Sequence, residues 1–359
     1  MKENKVRAIA FYLPQFYPTP ENDEWWEPGF TEWTNVAKSK PLFEGHYQPR
    51  IPQELSFYDL RVPETREKQV QLAKEAGIEG FCYWHYWFAG RRLLDQVFRE
   101  VVDTGKPDFP FCLCWANHSW SAKTWNPNTP DKLLIAQTYP GVEDFIGHFN
   151  AMLPAFKDKR YIKYEGKLVF GIFDPIFFED FRLFKDTWNR LAKENGLEGF
   201  YFFALCQEEM NLSRFDQNEY DAIVFDALQT SYNDYMKSSI KLKLHNLKVN
   251  HLHRPYVKEY KDYVTDAISL FRKYDKYIPC IDPDFDHSPR SAYRWIIMHG
   301  STPELWGKLC SETKKIIVER NDNPLMFIKA WNEWGEGNYM EPDTKWGKQY
   351  VVEAGKNFR

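Results

Sequence analysis

No apolar run in the 359 residues approaches the ~20 that a membrane-spanning helix needs. No long basic run appears and the net charge is −4, which points away from nucleic acid as a partner. No charged leader with an apolar core precedes the first strand. Met1-Lys2-Glu3-Asn4-Lys5 runs straight into it, so a cytoplasmic location is expected. The six cysteines are 82, 112, 114, 206, 280 and 310, and no two are spaced as CxxC. That spacing speaks against structural zinc and against a redox pair, and buried free thiols are expected. Gly-x-Ser-x-Gly, His-Glu-x-x-His, Walker and dinucleotide fingerprints are all missing. No cofactor and no resident metal are therefore expected.

Rings are abundant instead. Aromatic residues make up 18% of the chain, with 14 Trp, 21 Tyr and 28 Phe. Such rings fill cores, and they also form flat platforms for the C–H faces of sugars. Many stand in polar loops rich in Pro and Gly, where a core role does not explain them. Apolar content of 43% with 27% charged residues is that of a globular chain.

Eight apolar runs read as strands: Val6–Leu13, Gly80–Trp87, Phe111–Trp115, Leu168–Phe173, Gly199–Cys206, Ala222–Leu228, Tyr277–Ile281 and Leu325–Ala330. Continuous apolar runs suit strands covered on both faces, as in a parallel sheet. Helical patterns alternate with them at Pro63–Ala76, Arg92–Thr104, Val142–Phe156, Glu179–Glu194, Tyr256–Tyr274, Thr302–Arg320 and Lys345–Ala354. Eight strands alternating with these helical patterns predict a single (β/α)8 TIM barrel over residues 1–359, with long loops after strands 1 and 3. An open doubly wound sheet is the alternative. It would place a glycine-rich turn after an early strand, whereas Pro14-Gln15-Phe16-Tyr17-Pro18 contains none.

The strand ends carry the chemistry. After the eighth strand comes Ala330-Trp331-Asn332-Glu333-Trp334-Gly335-Glu336-Gly337. Two carboxylates beside glycines at the carboxyl edge of a barrel are candidate catalytic groups. The first loop holds Trp25, Trp26 and Trp33 among acids, a candidate sugar wall or a self-packed plug. Alternation on strand 2 puts Tyr83, His85 and Trp87 on one face, with His85 read either as a contact for a substrate hydroxyl or as a satisfied core residue among rings. Strand 3 ends in Trp115-Ala116-Asn117-His118-Ser119-Trp120, with Trp125 beyond. Strand 7 leads to Asp284-Phe285-Asp286, a loose match to the metal-holding Asp-x-Asp of sugar transferases. A calcium loop fails there, since His287 and Tyr293 stand where Gly and Glu are required. Asp286 and Arg290 read better as substrate-contact or orienting groups. His251-Leu252-His253 lies in a basic stretch that reads as solvated surface.

These stretches resemble the WbsX-like family, related to the endo-α-mannosidases of glycoside hydrolase family 99. The resemblance runs over nearly the whole chain. It is carried by Ala10-Phe11-Tyr12-Leu13-Pro14-Gln15-Phe16, Gly29-Phe30-Thr31-Glu32-Trp33, Gly45-His46-Tyr47-Gln48-Pro49, Gly80 to Phe88, Cys114-Trp115-Ala116-Asn117, Gly300 to Leu305 and Ala330 to Gly337. It implies a (β/α)8 barrel in which Glu333 assists the attack of a substrate 2-hydroxyl and Glu336 protonates the leaving oxygen. Retention then proceeds without a glycosyl-enzyme bond, outside the usual nucleophile scheme. Family members often read Trp-Ala-Asn-Glu-Asn-Trp after strand 3, where this chain has His118 and Ser119.

The expectation is a retaining glycoside hydrolase or transglycosylase acting on an oligo- or polysaccharide, with Glu333 and Glu336 catalytic. Tyr12, Trp26, Trp33, Tyr83, His85, Trp87, Trp115, Asn117, Trp120, Asp286, Arg290, Trp331, Asn332 and Trp334 are the candidate substrate-binding residues. The alternatives are a glycosyltransferase of bacterial surface polysaccharide (O-antigen) biosynthesis, using a metal at Asp284 and Asp286, and a non-catalytic glycan-binding barrel.

Overall fold

The computed structural model describes residues 6–122, 132–215, 219–236 and 239–359, so Trp125 lies outside the described residues. Eight parallel strands follow one another in the chain: β1 (Arg7–Tyr12), β2 (Gly80–Phe88), β3 (Phe111–Trp115), β4 (Lys167–Ile172), β5 (Phe200–Cys206), β6 (Ala222–Asp226), β7 (Ile278–Ile281) and β8 (Leu325–Ile328). Each pairs with the next, and β1 pairs with both β2 and β8, which closes the sheet. Ile9 lies opposite Gly80, and Ala10 lies opposite Ile328. The molecule is therefore a closed (β/α)8 barrel.

The described helices of nine or more residues are α1 (Pro63–Glu75), α2 (Gln96–Thr104), α3 (Val142–Phe156), α4 (Phe181–Glu194), α5 (Leu228–Met236), α6 (Ser239–Leu252), α7 (Tyr260–Lys273), α8 (Pro303–Arg320) and α9 (Gln349–Phe358). Between β5 and β6 the longest described helix is the single turn Leu212–Phe215. Local chemistry sets the ends. Thr302 accepts a bond from Leu305 N ahead of Pro303, a strong start for α8. Asn321 ends it in the left-handed region at φ +53°.

Three predicted helix starts move by four residues. Arg91–Leu93 pairs antiparallel with the end of β2, so α2 starts at Gln96 instead of Arg92. Tyr256–Glu259 is a short strand paired with Ile296–His299, and helix begins only at Tyr260. The Asp343 carboxylate accepts from Lys345 N and Trp346 N, and this turn delays the last helix to Gln349.

Much of the aromatic content is core. Trp188 of α4 is fully buried among Phe156, Phe170 and Phe200, between helix and strand layers. Truncating such a ring to alanine costs ~3–5 kcal/mol. All six cysteines are free and buried.

Candidate active site

The eighth strand delivers the site. Beyond Ile328 the chain doubles back as a tight hairpin, Asn332–Glu333 against Asn338–Tyr339, around the turn Trp334–Glu336. Asn332 anchors it, since its carboxamide oxygen accepts from Leu13 N at 2.7 Å and its NH2 donates to Leu13 O at 3.0 Å. Trp334 stacks on Tyr339 with centroids 3.7 Å apart, and its indole N–H donates to the buried Glu341 carboxyl. Gly337 closes the turn at φ +59°, and a Cβ there would sit 2.8 Å from Asp286 Cβ. Only glycine fits both the angle and the contact. The hairpin turns Glu333 and Glu336 into the barrel mouth.

One cation organises the acids. Arg290 stands on a single helical turn, Ser288–Ser291, after β7. Its Nη1 donates to Glu336 at 2.6 Å, its Nη2 to Glu333 at 3.3 Å, and its Nε to Glu32 at 3.1 Å. The guanidinium reaches this close because residue 335 is glycine: a Cβ there would overlap the Glu32 carboxylate and lie 2.8 Å from Arg290 Nε. Trp84 of β2 donates its indole N–H to the other Glu333 oxygen at 3.0 Å. His287 holds its Nε2 3.8 Å from Glu336.

The two carboxyls part in acidity. Burial and the neighbouring charge of Glu336 push Glu333 up to about 8. Burial also works against charge at Glu336, but Arg290, Lys329 and His287 outweigh it and hold that carboxyl below its ordinary range. The pair therefore titrates as a unit, with burial favouring the proton at Glu333 and the cations favouring charge at Glu336. Burial lowers His287 and His118 to about 4, so both imidazoles are neutral near pH 7. Burial raises Glu32 too, against the pull of Arg290.

Both acids line a cleft of about 230 Å³ that opens to solvent at the carboxyl end of the strands. Its rings are Trp84, Tyr86, Trp120, Phe173, Phe285 and Trp295. Its polar groups include His118, Ser119, Gln207, Gln229, Asp226 and Lys329. Lys329 Nζ lies 3.4 Å from Asp226 Oδ2. Burial opposes the lysine charge, and the carboxylates of Asp226 and Glu336 more than offset it.

Of the residues expected from sequence to touch substrate, the fold brings Trp120 and Arg290 to this cleft with Glu333 and Glu336. The others lie elsewhere. Tyr12 donates to Gln69 of α1 and Tyr83 packs on Phe98 of α2, so both point outward to the helix layer. His85 meets His148 of α3 at 2.7 Å, Trp87 stacks on the same imidazole, and Trp115 caps it edge-on. Trp84 and Tyr86, on the opposite face of β2, are the ones that reach the cleft. Asn117 braces Tyr139 and the Asp174 carbonyl. Trp26 packs on Phe30 beside a separate small hollow, and Trp33 donates to the Tyr58 carbonyl. Trp331 is buried against Phe81, while Asn332 and Trp334 serve the hairpin. Asp286 is buried and accepts from His46, Gln48 and Ser288 N, so it fixes the turn that presents Arg290. Asp284 and Asp286 both pair with Arg50, and neither lines the cleft.

Sequence reasoning passed over Trp84, Tyr86, Glu32, Asp226, His287, Trp295 and Lys329 as site residues. The available signal was a charged residue closing an apolar run, as in Val224-Phe225-Asp226 and Phe327-Ile328-Lys329.

Comparison with known proteins places the chain in a family. Residues 8–354 match the family described as glycosyltransferase WbsX. The uncharacterized protein WxcX of Xanthomonas campestris pv. campestris is 33% identical over 348 residues, covering 96% of this chain. That stretch is 48% of WxcX, so the chain spans about half the length of the curated relatives it matches. Among solved structures, the family 99 endo-α-mannosidase from Bacteroides thetaiotaomicron superposes with a TM-score of 0.56 at 14% identity, over 98% of this chain and 96% of that one. A glycoside hydrolase-like protein gives 0.59 at 14% identity, over 99% and 94%. At that identity the likeness speaks for the fold. The match over residues 8–354 shows that the chain belongs to the WbsX glycosyltransferase family.

Proposed function

We propose that the protein breaks or transfers a glycosidic bond, with Glu333 and Glu336 as its working pair. The observation that carries this reading is the pair itself. Two carboxyls, Glu333 buried and Glu336 partly exposed, share one guanidinium inside an open, ring-lined cleft, and their surroundings drive their proton affinities apart. General acid–base cleavage needs one protonated and one ionised carboxyl near neutral pH. The rings offer platforms for saccharide faces, and Gln207, Gln229 and Lys329 offer hydroxyl contacts.

The roles implied by the resemblance give Glu336 the task of protonating the leaving oxygen. In the free site the proton rests on Glu333, because Arg290 bonds Glu336 more closely. We infer that saccharide hydroxyls displace the guanidinium from Glu336 and that the shared proton then moves there. Leaving-group dependence tests the assignment. A variant lacking the acid still turns over aryl glycosides whose leaving phenol needs no proton. Glu336→Gln should therefore lose far less on such substrates than on natural glycans, and Glu333→Gln should lose on both. The opposite pattern would exchange the two roles.

A glycosyltransferase reading is favoured by the family's own description. It would use the same cleft with an activated donor. A donor held through a metal at Asp284 and Asp286 has little support, since both carboxylates are committed to Arg50. Product formed only when a nucleotide-sugar or lipid-linked donor is supplied would select this reading over hydrolysis.

A further inference from the structure

Residues 235–257 hold five Lys or Arg, three His and no acid, in a chain whose net charge is −4. Read as sequence, the stretch is a solvated surface. The structure shows something a solvated surface does not need. Helix α6 leaves Leu244, Leu247 and Leu252 at 52%, 50% and 58% exposure, and Lys243, Lys248, His251, His253 and Arg254 are exposed around them. Leu244 and Leu247 are one turn apart, so they share a face. A helix on a globular body normally turns such residues to the core.

The patch continues toward the cleft. His253 stacks on Tyr293, with centroids 4.7 Å apart and planes 12° from parallel. Next in the chain are Arg294, exposed, and Trp295, 50% exposed and part of the cleft lining. On the other side, Leu228 and Gln229 of α5 line the cleft and lead into α6. Half-exposed leucines and a tryptophan, set among exposed cations, therefore border the cleft mouth.

We propose that this face docks the protein on an anionic lipid bilayer. Leu244, Leu247, Leu252 and Trp295 enter the headgroup layer, and Lys243, Lys248, Arg254 and Arg294 meet lipid phosphates. Apolar residues supply burial and basic residues supply attraction, the combination that interfacial helices use. Tryptophan and arginine suit the boundary, where one end of the side chain is dry and the other wet. Nucleic acid fits poorly, because leucines give bases nothing to stack on. Docked in this way, the cleft opens at the membrane surface and receives glycans carried there. The proposal does not depend on which bond chemistry the cleft performs.

Vesicle sedimentation of the full chain tests it. Phosphatidylcholine vesicles are compared with vesicles that also contain phosphatidylglycerol, at low and high salt. The fraction pelleted should rise about tenfold with the anionic lipid and fall back in ~0.5 M salt. Leu244→Glu/Leu247→Glu should abolish pelleting while the thermal transition and glycan turnover hold. Should that variant misfold, Lys243→Glu/Lys248→Glu carries the test, with the same loss expected. Wild-type protein that ignores the anionic lipid, or folded variants that pellet as well as wild type, would overturn the proposal. So would a dimer or an acidic protein complex that depends on these leucines in the absence of vesicle binding.

Discussion

Two buried polar clusters flank the barrel wall, and they behave as opposites. Inside the mouth, Arg290 gathers Glu32, Glu333 and Glu336 beside an open cleft. Outside the wall, between β2, β3 and α3, His85 and His148 meet among Trp87, Trp115 and Trp188. Both combine ionisable groups with indole rings, so in sequence both look like sites. They differ in access and in charge. The inner cluster keeps unlike charges next to solvent. The outer one is sealed and neutral, with burial lowering His85 to about 3. Ionisable groups among rings become chemistry only on the side of the wall where a substrate can reach them.

Substitutions in the two clusters should therefore separate activity from stability. The largest expected effect is catalytic. Glu333→Gln or Glu336→Gln should lower turnover of the natural glycan by about 10²–10⁴-fold, read as initial rates, with folded protein retained. Arg290→Met comes next. Leaving Glu32, Glu333 and Glu336 without their cation should cost ~3–5 kcal/mol in a denaturant titration, because removing one partner of a buried ion pair strands charge. By contrast, His85→Leu/His148→Leu removes both partners of the outer pair at once. Turnover should stay within about twofold of wild type, since exchanging both polar groups for apolar ones is close to neutral.

The pH dependence of stability sharpens the contrast, because the clusters pull in opposite directions. Glu333 holds its proton to about 8 in the folded state, above the ordinary glutamate value of 4.5. Its contribution is complete below the unfolded value and is lost as pH rises through about 8. The buried Glu341, pushed by burial to about 7, adds a loss of the same sign. His85 is depressed from 6.5 to about 3, so its contribution is present above 6.5 and is lost as pH falls toward 3. Melting temperature followed against pH should fall on both flanks. Glu333→Gln should flatten the alkaline flank, and the double histidine variant the acid one. The smallest effect is at the rim, where Trp295→Ala should raise KM by the ~0.5–1.5 kcal/mol of one ring contact and leave kcat unchanged.

The barrel was legible because eight apolar runs separated by helical patterns leave few other architectures. The acids after β8 were legible because carboxylates and glycines interrupt an apolar strand at Lys329 to Gly337. The cleft wall was not. Strand β2 reads Tyr83-Trp84-His85-Tyr86-Trp87, with rings on both faces, and every one of these residues is buried. Alternation separates the faces without saying which looks inward. Direction comes from neighbours distant in sequence, such as Phe11 stacked on Trp84 and His148 set against His85. The three-acid grip of Arg290 was hidden for the same reason, since Glu32 is 258 residues away from it.

Chemistry on a saccharide by the inner pair is tested most directly by product release. Product release should be followed over a panel of polysaccharides and aryl glycosides, with wild type beside Glu333→Gln/Glu336→Gln. Wild type should release product from at least one glycan and the variant none, both proteins being folded. A variant that releases product as fast as wild type would contradict it.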